Sequence, residues 1–154
     1  MPAFRRFGGD TAYVEGWALY TESLGKELGV YTDPYMYFGK LQGELWRAIR
    51  LVVDTGLHSK GWTREQVIKY MRENSAVSET DAVAEAERYM AIPAQALAYK
   101  VGQMTISRLR ARAETELGPK FDIREFHDQI LKDGSLPMSV LETKIDRWIA
   151  SKKG

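Results

Sequence analysis

The chain has 154 residues, with 22 Lys and Arg against 21 Asp and Glu, a formal net charge of +1, and no Cys. That balance gives no electrostatic reason to expect nucleic acid or an anionic membrane surface as partner, and the missing cysteines exclude disulfides and thiolate metal sites. With 44% hydrophobic and 28% charged residues the composition is that of one globular domain; no apolar run approaches the roughly 18 residues of a membrane span, no secretory leader is visible, and the compartment stays unassigned.

Residues 1–9, with Gly8-Gly9, read as an irregular lead. A first helix is predicted from about Thr11 to Leu28, capped by Asp10 or Thr11 and stopped at Gly29. At 100° per residue, Tyr13, Trp17, Tyr20, Leu24 and Leu28 form a core stripe, while Thr11, Glu15, Leu19, Glu22 and Lys26 lie opposite. Gly16 costs about 1 kcal/mol relative to Ala inside a helix. A helix that accepts this usually needs a close approach to its backbone. Glu15 alone reads as a solvated carboxylate.

Asp33-Pro34 starts a second helix, a cap followed by Pro at its first position, running to about His58. Leu41, Leu45, Ile49, Val52, Val53 and Gly56 read as its core stripe. Lys40, Gly43, Arg47, Arg50, Asp54 and His58 share the opposite face. That face is either solvated, with an Arg50–Asp54 pair, or a site. In a site Asp54 accepts a hydrogen bond from His58 and fixes its tautomer, and the arginines hold a carboxylate bidentately.

Thr63-x-x-Gln66 is a capping box that opens a third helix, with Val67, Tyr70 and Met71 inward. Ser78-x-x-Asp81 opens a fourth, through about Ala91, whose Glu79, Glu85, Glu87 and Arg88 read as ordinary surface. A long helix is predicted from Pro93 to Leu117, with Gln95, Tyr99, Gly102 and Gln103 on one side. Asp122 caps a helix from Ile123 to about Lys132, stopped by Asp133-Gly134, in which His127 reads as a helix-surface or structural residue and not a ligand. Pro137 starts the last helix, with Met138, Leu141, Ile145, Trp148 and Ile149 buried. Nothing alternates with period 2 between hairpin turns. The fold class is therefore all-α: six or seven helices with short connections in one domain, with Trp17, Trp46, Trp62 and Trp148 as anchors.

Three segments carry a resemblance: Tyr13-Val-Glu-Gly-Trp-Ala-Leu-Tyr-Thr-Glu22, Glu44 through Trp62, and Pro93 through Gly102. Together they closely resemble a bacterial family known as domain of unknown function 885, whose members look like zinc metallopeptidases of the gluzincin type. The resemblance implies a peptide substrate and a zinc ion with two His ligands and a Glu base from one helix, and a third ligand, here Glu15, from a later one. It implies that His58 and Tyr99 stabilise charge on the tetrahedral intermediate and that Arg47 or Arg50 grips a peptide carboxylate.

The chain departs from the family pattern in having only His58 and His127 and no His-Glu-x-x-His. It therefore reads as the C-terminal part of a longer protein, inactive alone, with the missing ligands upstream. Self-association through an uncovered Glu15 face is the corresponding expectation. A non-catalytic helical module that binds a partner is the second reading.

Overall fold

The computed structural model describes residues 3–154, with the backbone alone for Phe4. The described residues form helices without a strand: α1 (Ala3–Phe7), α2 (Thr11–Glu27), α3 (Pro34–Lys60), α4 (Arg64–Asn74), α5 (Glu79–Ala91), α6 (Ala98–Leu117), α7 (Ile123–Leu131) and α8 (Met138–Lys153). The all-α class holds. The additional helix is α1, in the stretch read as irregular; the first two residues of that stretch, Met1 and Pro2, lie outside the described residues.

Local chemistry sets most helix ends. Asp10 Oδ1 accepts the Tyr13 N–H at 3.0 Å, and Asp33 and Asp122 cap α3 and α7 in the same way. Thr63 and Gln66 form the reciprocal capping box of α4, and the Ser78 side chain accepts the Asp81 N–H. Gly29, Gly61 and Gly134 end helices with φ near +70°, which costs a residue without Cβ little. The α5–α6 connection differs from the sequence expectation. Ala94 takes φ +66°, residues Gln95–Leu97 make a 3-10 turn, and α6 begins only at Ala98.

The chain folds as two compact units: unit 1 is the part up to Tyr20 together with Val101–Gly154, and unit 2 is Thr21–Lys100. In unit 1 the core includes Tyr13, Ile106, Leu109, Phe126, Ile130, Leu141, Ile145 and Trp148. Gly16 of α2 meets Gly102 of α6 backbone to backbone. A Cβ at residue 16 would stand 2.4 Å from the Gly102 Cα, and one at residue 102 would stand 1.9 Å from the Ala12 carbonyl oxygen. This is the close approach that a glycine inside α2 foretells. The predicted stripe of α2 is amended: Leu28 is exposed, and Leu19, on the Glu15 side, is only 2% exposed. The Glu15 side is thus not a bare face.

Unit 2 packs Ile49 and Val53 of α3 against Val67 and Met71 of α4 and Ala82, Ala86 and Tyr89 of α5, with Trp46 and Trp62 alongside. Within α3 the predicted burial is partly inverted. Leu41 and Leu45 are each 43% exposed and Val52 38%, while Arg50 is 9% and Asp54 2% exposed. Ile49, Val53 and Gly56 are buried as expected.

Candidate functional site

The polar face of α3 is enclosed by α5 and the start of α6. Arg50 sits in an aromatic box, its guanidinium 5.0 Å from the centre of the Tyr99 ring, 5.8 Å from Tyr89 and 5.9 Å from Trp46. Its Nε donates to the Tyr89 hydroxyl at 2.9 Å and its Nη2 to Glu85 at 3.1 Å. Glu85 also accepts from Arg88 at 2.9 and 3.0 Å and from the Tyr89 hydroxyl at 2.5 Å. Burial pushes the Glu85 carboxyl up, but the hydrogen bonds from Arg88 and Tyr89 and the charges of Arg50 and Arg88 outweigh it and hold it at about 2. Burial, reinforced by Glu85, pushes the Tyr89 phenol well above its ordinary value.

Arg47 lies one turn before Arg50. Its guanidinium is 6.0 Å from the centre of the Tyr99 ring, and Nη1 donates to the Gly43 carbonyl at 3.0 Å. Its Nε is buried without a hydrogen-bond partner. Gly43 leaves the room for this arrangement, since a Cβ there would stand 3.0 Å from Arg47 Nη1. Beside the two arginines opens a cavity of about 630 Å³, lined by Trp46, Arg47, Arg50, Val77, Asp81 and Glu85 among others.

Two expected pairs do not form. Asp54 bonds neither Arg50 nor His58; both of its oxygens accept the Ala94 N–H, at 3.2 Å each. It holds the left-handed Ala94 turn from which α6 starts. Burial raises its carboxyl, opposed by the charge of His58 and the Ala94 N–H. His58 is exposed, and its Nε2 pairs with the Tyr89 carbonyl at 2.9 Å. Because a carbonyl only accepts, that nitrogen carries the proton. Of the residues predicted on unit 2, Arg47, Arg50 and Tyr99 come together. Asp54 and His58 are engaged with backbone.

Glu15 belongs to unit 1, where it is half-buried and makes no hydrogen bond or ion pair among the described residues. His127, read as a helix-surface or structural residue, pairs through Nε2 with the Tyr20 hydroxyl at 2.9 Å and meets the Trp17 ring edge-on. Among the described residues no three His, Cys, Asp or Glu stand together as a metal site.

Sequence reasoning missed Glu85 and Tyr89, taking the former for surface. The available signal was their spacing with Arg88: an acid, a base and a phenol at i, i+3 and i+4 share one helix face.

The comparisons agree with this architecture. A family described as bacterial protein of unknown function (DUF885) matches residues 1–145. The crystal structure of the "putative lipoprotein" of Colwellia psychrerythraea is similar at a TM-score of 0.93 and 54% identity, over 97% of this chain and 26% of that one. A second "putative lipoprotein", of unknown function, from Shewanella oneidensis is similar at a TM-score of 0.82 and 29% identity, over 88% and 25%. The chain thus spans about a quarter of each solved relative. No curated protein matches.

Proposed function

The chain belongs to the bacterial family of unknown function DUF885, and on that premise we propose that it is the substrate-contacting part of a zinc-dependent peptidase. A catalytic zinc takes three protein ligands and leaves a position for water. The described residues offer no such set. They do not make a zinc centre by themselves, and the reading gives this chain one ligand, Glu15, with the other ligands elsewhere in a longer protein.

On unit 2 the observation that carries the reading is the convergence of Arg47, Arg50 and Tyr99, which come from helices distant in sequence. A guanidinium can hold a peptide carboxylate in a planar fork. The Tyr99 hydroxyl has no protein partner among the described residues and is left to donate, and the Arg47 and Arg50 guanidinium groups lie against its ring. Such a donor stabilises an oxyanion on a substrate carbonyl. His58 is the less well-placed nominee for the same work, because its Nε2 is already engaged. On unit 1 the support is Glu15 itself, a half-buried carboxylate without a partner.

The test uses a full-length protein carrying this chain, with zinc content and peptide hydrolysis as readouts. Glu15→Gln should lose zinc and turnover. Tyr99→Phe should keep zinc and lose about 10²-fold in kcat, the scale of one oxyanion donor. Glu22→Gln, two turns along α2, is the control and should change little. Full zinc occupancy and activity in Glu15→Gln would remove the metal assignment. The chain alone should bind zinc weakly and hydrolyse no peptide.

A second reading is a helical module that binds a protein partner. It is favoured by the outward apolar stripe of α3, where Phe38, Leu41, Leu45 and Val52 are all exposed. If the full-length protein hydrolyses no peptide and holds no zinc, this is the better reading.

A further inference from the structure

We propose that the cavity beside Arg47 recognises the free carboxylate at the C-terminus of a peptide, with Arg47, and not Arg50, as the residue that grips it. The peptide part of this statement rests on the peptidase reading; the carboxylate part rests on the geometry of unit 2 alone.

The two arginines differ in what they have left to give. Arg50 spends Nε on Tyr89 and Nη2 on Glu85, and it is 9% exposed. Among the described residues no carboxylate lies within ion-pair distance of Arg47. Only Nη1 is used, on the Gly43 carbonyl, while Nη2 has no partner among the described residues and Nε is buried without one. A half-buried guanidinium without a counter-ion is unfavourable, and Nη2 is the donor still open to a ligand. A ligand that brings an acceptor and a negative charge to Nη2 relieves this.

The surroundings select the kind of anion. The cavity is also lined by Asp81 and Glu85. Glu85 is neutralised by Arg50 and Arg88, and Asp81 accepts from the Ser78 hydroxyl at 2.7 Å. One cation stands uncommitted against one exposed carboxylate, a field too weak for a phosphate dianion but suited to a monoanion. A carboxylate matches one guanidinium edge bidentately, and Arg is the residue that provides this geometry. Trp46 and Val77 give an apolar wall for the residue that bears the carboxylate. At about 630 Å³ the cavity is in the range of small-molecule sites. The Tyr99 ring beneath Arg47 and the glycine at residue 43 keep the guanidinium in place for this task.

The consequence for specificity is that the peptidase removes residues from the C-terminal end. Interior bonds, whose flanking groups are neutral amides, leave Arg47 unsatisfied.

The test has two arms. In the first, the Nε–Hε resonance of Arg47 in the 154-residue chain is followed by NMR during titration with N-acetyl-leucine and, separately, N-acetyl-leucinamide. The acid should shift it saturably and the amide should not. Arg47→Gln should weaken acid binding at least 10-fold, followed at neighbouring resonances, and Arg47→Lys should fall between. Equal binding of the amide, or no saturable shift at Arg47, overturns the proposal; the wild-type resonance gives this answer even if a variant fails to fold. In the second arm, the full-length protein is offered a peptide as free acid and as C-terminal amide. Hydrolysis of both at equal rates overturns the proposal and leaves the peptidase reading standing. Acid-selective binding at Arg47 without hydrolysis of any peptide overturns the peptidase reading and leaves the carboxylate site.

Discussion

Protonating Glu85 removes the acceptor on which Arg50, Arg88 and Tyr89 converge. Its carboxyl is held at about 2 in the fold against an ordinary 4.5. A depressed folded value means that the stability it contributes is complete above the unfolded value and is lost as pH falls toward the folded one. Unit 2 should therefore hold its stability down to roughly pH 4.5 and weaken progressively toward pH 2. Thermal melts of the wild type and Glu85→Gln measure this. The variant should be less stable at neutral pH and should converge on the wild type as pH approaches 2. Parallel curves that never converge would show that Glu85 does not carry the dependence. Comparing the two proteins at each pH cancels the surface carboxylates, such as Glu116 and Glu142, whose shifts run in the same direction.

At the scale of one element, α3 shows what a periodic pattern discloses and what it withholds. Its start was legible, because Asp33 and Pro34 act on their own neighbours. The same holds for Thr63 with Gln66 and for Asp122. Which face would be buried was not. Periodicity shows where the apolar residues lie, but burial depends on what the rest of the chain brings alongside. Here α5 supplies Glu85 and Tyr89, which pair with Arg50 and make its enclosure affordable. The apolar stripe at Leu41, Leu45 and Val52 is left outward. Substitutions separate the two faces. Ile49→Ala should cost about 2–5 kcal/mol, the range for a buried Ile, whereas Leu41→Ser and Leu45→Ser should stay within about 0.5 kcal/mol. Urea unfolding midpoints measure both. A loss at Leu41 comparable to that at Ile49 would put the stripe back in the core. The candidate site was legible to the same degree. Arg47 and Arg50 were placed on one polar face by their spacing and Tyr99 was nominated by the family resemblance, while the partners that commit Arg50 became visible only with α5 in place.

For the whole molecule, the division into two units had no mark in the sequence. Its limits fall after Tyr20 and after Lys100, inside α2 and α6, where the chain has no Gly- or Pro-rich linker to betray a boundary. The arrangement also has a kinetic meaning. Unit 2 is one unbroken stretch, whereas unit 1 joins segments from opposite ends of the chain; the hydrogen bond from the Tyr13 hydroxyl to the Ile130 carbonyl spans 117 positions. Closing so long a loop is entropically costly before any contact repays it, so distant pairings form late. In stopped-flow folding, Val53→Ala in unit 2 should slow refolding. Tyr13→Phe should leave refolding unchanged and speed unfolding, as late contacts do. The reverse pattern would place nucleation in unit 1. During synthesis the sequence of events follows directly: unit 2 can assemble once Lys100 has left the ribosome, while the residues before Thr21 wait for the C-terminal helices that complete their own unit.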